Sequence, residues 1–137
     1  MPATAAPYYV PDFTTWTGTR LDSQEIARLM TVAPPPTINS GPWFVMFYRE
    51  DCDHCHELLA THFSGSLSTP TLTISIPDTD PAASLEFPCS ECHVRTLLKG
   101  PDYVLTTPLL MRVMDGVITY VVIDAEDSSS IDQCLHP

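Results

Sequence analysis

Positive charge is scarce in this chain. Its 137 residues hold six lysines and arginines against seventeen aspartates and glutamates, a formal net charge of −11 with the histidines neutral. A surface of that sign repels nucleic acid and anionic membranes, which leaves neutral or basic proteins, small molecules and metal ions as partners. The acids are spread along the chain, as expected of a solvated surface. Long apolar runs are also absent, and none approaches the ~18 residues a membrane span needs. Residues 1–10 lack the basic start and apolar core of a signal peptide. Taken literally, these absences predict a soluble, cytoplasmic product, although a domain excised from an exported or membrane-tethered protein would look the same. What remains is a globular composition, 44% hydrophobic and 17% charged, sufficient for one domain with its own core.

The chemistry concentrates in the cysteines. There are five, and four of them form two CxxC pairs, Cys52/Cys55 and Cys89/Cys92. Cys134 is left over. Near Ile131 and Leu135 on a helical pattern it suits a small buried hydrophobe. The first pair follows the apolar run Trp43-Phe44-Val45-Met46-Phe47-Tyr48 and precedes a helical pattern that puts Leu58, Leu59, His62 and Phe63 on one face with Cys55. A strand–CxxC–helix junction places the first thiol at a helix N-terminus. Unpaired backbone N–H groups and the helix dipole favour the thiolate there, and the thiolate attacks disulfides and binds metals.

The rest of the chain alternates helix and strand at first. Residues 1–15 read as an extended arm. Asp22 with Glu25 three residues on, followed by Ile26, Leu29 and Met30, predicts a capped helix over 23–31. Pro34-Pro35-Pro36 ends it. The run over 43–48 is apolar on both faces, as a central strand should be. The helix after Cys52 stops near Gly65, and residues 71–76 alternate as the next strand. A Pro-, Asp- and Ser-rich loop spans 77–88. The second cysteine pair opens a short helix through Leu98 that Gly100-Pro101 breaks. Residues 109–114 and 117–123 form a hairpin about Asp115-Gly116, and Asp127 caps a closing helix with Ile131, Cys134 and Leu135 inward. Met46, Met111, Met114, Trp16 and Trp43 are core candidates.

With Cys52-Asp53-His54-Cys55 after a strand, Thr107-Pro108 before another, and an Asp-Gly hairpin behind it, the chain resembles the thioredoxin-fold thiol–disulfide oxidoreductases over roughly residues 20–136. The resemblance implies an α/β fold: a thioredoxin-like central mixed β-sheet flanked by helices, covering 21–137, with residues 1–20 as an N-terminal extension. It implies Cys52 as the attacking thiol, Cys55 as the resolving one, and Pro108 as a cis-proline that presents the backbone of Thr107 to a substrate strand. His54, just before the second cysteine, resembles the oxidising members, where a cation at that place stabilises the thiolate. The partners implied are protein or small-molecule thiols and disulfides, with no cofactor. The usual Trp-Cys-Gly-Pro-Cys is missing, and Glu50, Asp51 and Asp53 set negative charge against the thiolate. The expected poise lies between reductant and strong oxidant.

The second pair leaves several readings open. Both pairs fall between elements that meet one sheet edge, so Cys89/Cys92 are expected near the first pair, as a redox relay or as a structural disulfide. Cys52, Cys55, Cys89 and Cys92, with His54, His56 and His93 nearby, also offer enough soft ligands for tetrahedral zinc, although the spacer exceeds that of two-knuckle sites. Each pair is followed by histidine, so each also matches the C-x-x-C-H haem-attachment pattern. Small cytochromes wrap haem mainly with helices, and this chain is strand-rich around both motifs.

Overall fold

A computed structural model describes residues 8–49, 52–77, 89–99 and 102–136. The predicted loop over 78–88 (Glu86 included), the break at Gly100-Pro101 and the charges of Glu50 and Asp51 lie outside the described residues.

Among the described residues seven strands and two α-helices follow one another. They are β1 (Tyr8–Tyr9), β2 (Pro42–Tyr48), α1 (Asp53–His62), β3 (Thr71–Ser75), β4 (His93–Thr96), β5 (Asp102–Tyr103), β6 (Leu109–Met114), β7 (Val117–Val122) and α2 (Ser128–Leu135). Five of the strands form one mixed sheet in the order β4-β3-β2-β6-β7. β2, β3 and β4 run parallel, while β6 pairs antiparallel with β2, and β7 with β6. This is the thioredoxin-like α/β arrangement that the order of motifs implies.

β2 is central because it can be buried on both faces. Phe44, Met46 and Tyr48 point into a layer with Cys55, Leu58 and Leu59 of α1, Phe63 just after it, and Ile131 and Cys134 of α2. Trp43, Val45 and Phe47 point into the opposite layer, as the period-two geometry of a strand requires. That second layer is covered by the N-terminal segment, which contributes Tyr9, Trp16, Leu21, Ile26, Met30 and Ile38. Trp16 is 3% exposed and stacks edge-on with Phe13 and Phe47. β1 pairs in parallel with β5. Met46 and Met111 are fully buried, and Met114 is half-buried.

Two predicted helices are not helices. Over 23–31 the chain makes 3₁₀ turns at Leu21–Ser23 and Glu25–Arg28, with Gln24 extended between them. Asp22 caps nothing; its carboxylate takes a hydrogen bond from Arg20 Nε at 3.1 Å. Ile26 and Met30 are buried as their stripe implied, but tertiary pairing sets the backbone. Leu98 N–H donates to the Leu29 carbonyl, Thr31 N–H to that of Thr96, and Met30 bridges Leu97. Pairing of residues 29–31 with residues 96–98, at the end of β4, displaces the helix that local spacing favours.

The segment after Cys92 is likewise strand β4, paired with β3, rather than helix. Val94 and Thr96 are β-branched and fit a pleated edge. The hairpin and the closing helix match their signals. Asp115 and Gly116 have φ of 52° and 83°, the left-handed pair a two-residue turn demands. A Cβ on Gly116 would also run into Asn39 Oδ1. Asp127 Oδ1 accepts from Ser129 N at 3.1 Å and Ser130 N at 3.3 Å, capping α2.

Candidate functional site

β2 delivers the chain to the carboxyl edge of the parallel strands, where Arg49 and Cys52 meet. Cys52 N–H donates to the Arg49 carbonyl at 3.1 Å. Cys52 is the N-cap of α1, extended at φ −90°, ψ 101°, and its sulfur accepts from Cys55 N–H at 3.1 Å. A sulfur in that place takes up one of the unpaired donors of a helix start. Cys52 and Cys55 are joined as a disulfide with Cα atoms 5.2 Å apart. The two sulfurs differ in access: Cys52 is half-buried, whereas Cys55 is 0% exposed beneath the apolar layer.

β6 begins beside this turn. The Thr107–Pro108 peptide bond is cis, and the Thr107 carbonyl oxygen lies 3.8 Å from Cys52 Sγ. Thr107 is half-buried and Pro108 buried. The fold thus brings together Cys52, Cys55, Thr107 and Pro108. His54, on the first turn of α1, is half-buried and lines a groove with Glu57, Leu58, Thr61 and His62 on one side and Glu126, Ser128 and Ile131 of the α2 region on the other. Asp53 is exposed on the same turn. His62 is held below its ordinary pKa by desolvation first and by the neighbouring His136 second.

Arg49 is a site residue that the sequence patterns did not single out. Its guanidinium donates to the carbonyls of Tyr103 at 3.0 Å and Leu105 at 2.9 Å, and to Thr107 Oγ1 at 3.3 Å. Its own carbonyl takes the Cys52 amide. One side chain therefore ties the cysteine turn to the strand approach on which Thr107 sits. An arginine closing an apolar strand was a signal; its partners, more than fifty residues away in sequence, were not visible.

The second pair lies elsewhere. Cys89 and Cys92 also form a disulfide, with Cα atoms 5.6 Å apart, but Cys92 directly precedes β4. His93 is level with Leu72, which is level with Val45, so Cys92 stands at the level of Phe44, near the start of β2. Cys52 lies past the far end of β2. Strand geometry separates the two by about 13 Å along the sheet and about 10 Å across it. The expectation of a shared edge is overturned, because β4 is parallel to β3 and the cysteines that immediately precede it therefore fall at the amino edge. Glu91 confirms the placement: its carboxylate accepts from Leu67 N–H at 2.9 Å, beyond the C-terminus of α1.

The four sulfurs therefore do not converge, and among the described residues no group of three His, Cys, Asp or Glu side chains is placed to hold a metal ion. His56 is buried on α1, while His93 is exposed and packs against Trp43 at 5.2 Å. Cys134 is the free cysteine of the described residues, fully buried, with its thiol pushed up to about 12 by desolvation. Among the described residues no helix is long and apolar enough to cross a membrane.

No protein-family profile and no curated protein matches this chain. Among solved structures it is similar to the reduced form of the N-terminal domain of PilB from N. meningitidis. The two are 15% identical over 90% of this chain and 94% of that one, with a TM-score of 0.46.

Proposed function

We propose that this protein exchanges disulfides with protein or small-molecule thiols through Cys52 and Cys55. One observation carries the reading: an accessible sulfur caps α1, its bonded partner is sealed beneath it, and a backbone carbonyl lies 3.8 Å away at Thr107. Exchange needs one sulfur that a partner can reach and one that only its neighbour can reach. In the reducing direction the Cys52 thiolate attacks a partner disulfide, a mixed disulfide forms, and Cys55 displaces the partner by attacking Cys52. The helix start favours the Cys52 thiolate. His54 is assigned the tuning of that charge, with Asp53 opposing it. Thr107 and Pro108 form the wall against which the partner's backbone lies.

Trapping tests this. Cys55→Ser should accumulate mixed disulfides through Cys52, and Cys52→Ser should accumulate none. If Cys55→Ser forms no adduct with a model disulfide while its fold is intact, the assignment is wrong.

A further inference from the structure

The second cysteine pair has its own geometry, and that geometry is not that of a brace. A disulfide stabilises by closing a loop in the unfolded chain, and its effect grows with loop length. Cys89 and Cys92 are three residues apart, so their bond closes one of the shortest loops a chain allows. It joins no two elements of the fold. The loop is held to the rest of the molecule by contacts that do not need the S–S bond: the Glu91 carboxylate accepts from Leu67 N–H, and the Cys89 side chain is buried in the apolar layer.

Access is divided within the pair as it is in the first. Cys89 is 2% exposed and built into the apolar layer under α1, whereas Cys92 is half-buried and packs at the margin of that layer. The order is reversed, because here the second cysteine of the motif is the accessible one. No α-helix follows Cys92; β4 does, so this sulfur has no helix dipole behind it.

We infer that Cys89/Cys92 is a second, independent thiol–disulfide centre at the opposite sheet edge, with Cys92 as the sulfur that partners attack and dithiols as its substrate class. A thiolate of an external dithiol attacks Cys92 Sγ and breaks the Cys89–Cys92 bond. Cys89 leaves as a thiolate and takes a proton, and the partner is now bonded to Cys92. The partner's second thiolate then attacks its own bonded sulfur, closes the partner's disulfide and releases Cys92, which is protonated in turn. Two electrons and two protons pass from the dithiol to the pair. The distance between the centres bars direct transfer within one molecule, so a diffusing thiol or a second copy must carry electrons between them.

The test uses the full chain with Cys52→Ser and Cys55→Ser, so that its outcome is separate from that of the first centre. The folded variant is equilibrated across a series of dithiothreitol redox buffers, quenched, unfolded and alkylated. Oxidised protein should carry one alkyl group, on Cys134, and reduced protein three. The two added groups should appear together and reversibly, with an unchanged circular dichroism spectrum. A pair that stays closed until denaturant is added, or whose reduction unfolds the chain, overturns the inference. Adding Cys89→Ser should then trap a model disulfide on Cys92, and adding Cys92→Ser should leave Cys89 unlabelled in the folded state. A reactive Cys89 there overturns the assignment of the attacked sulfur. Should the serine variants fold poorly, peptide mapping of the native chain after the same equilibration reads both pairs directly, and an unlabelled 89/92 peptide in folded protein counts against the proposal.

Discussion

The two CxxC loops of this protein share a spacing and little else. Cys52 sits where a central strand hands over to a helix, and the cis Thr107–Pro108 bond lies beside it. Cys92 sits where a loop hands over to an edge strand, at the other end of the same apolar layer. The first sulfur has a helix start behind it and the Thr107 carbonyl 3.8 Å away, whereas the second leads into a strand. The comparison teaches that CxxC is a statement about loop closure, and that the element following it decides the electrostatics of the sulfur.

The strongest consequence is expected at the Cys52/Cys55 pair. Cys52→Ser should reduce its exchange with a model disulfide to the uncatalysed rate, while Cys92→Ser leaves that rate unchanged; stopped-flow assays of both variants decide. A fall in both would mean the centres are coupled. Leu59→Ala comes next. Leu59 is fully buried in the layer that both pairs share, so its truncation should cost about 2–5 kcal/mol. Urea unfolding checks the loss, and both disulfides should become easier to reduce.

Arg49→Ala should cost less and discriminate more. Hydrogen bonds from a charged group contribute roughly 1.5–3 kcal/mol, and here they hold the Thr107 approach to the cysteine turn. We expect slower trapping at Cys52 and unaltered reduction of Cys89/Cys92, read by alkylation kinetics. Removing the second bond with Cys89→Ala and Cys92→Ala should cost about 2 kcal/mol for a loop this short, and a much larger loss of the urea midpoint would show that it braces the fold.

The smallest effect is in pH. His62 lies at the end of α1, and its protonated form is disfavoured in the fold. A depressed histidine pKa means the unfolded chain binds the proton more readily. Stability is therefore full above the unfolded value of about 6.5 and declines as pH falls through it and then through the folded value. His62→Asn should flatten that slope in urea midpoints measured between pH 7.5 and 5. Asp127 adds a second acid limb: its carboxylate is held low by the Ser129 hydroxyl and the Ser130 amide, so its contribution is present above the ordinary carboxylate range and lost below.

Much of the site was legible because it is local. The apolar run into Cys52, the helical spacing after it and the Asp-Gly turn are patterns within a dozen residues, and each became the element its pattern implied. Ile26 and Met30 show the limit. Their spacing correctly marked them as buried, yet their backbone is not helical, since burial is a property of side chains and the backbone answers to its hydrogen-bond partners at residues 96–98. His93–Thr96 fails for the same reason. A strand that needs β3 as its neighbour carries no sufficient signal of its own.

Which strand is central, and which cysteines are candidates for chemistry, could be read from the chain alone. Short-range periodicity, capping and turn residues act through neighbours in the chain, and a single sequence displays those. The place of the second cysteine pair, the grip of Arg49 on the Thr107 approach, and the 3₁₀ turns that cover the second face of the sheet emerge only from packing. Those outcomes depend on parallel pairing and on hydrogen bonds between residues far apart in the chain, which local pattern does not encode.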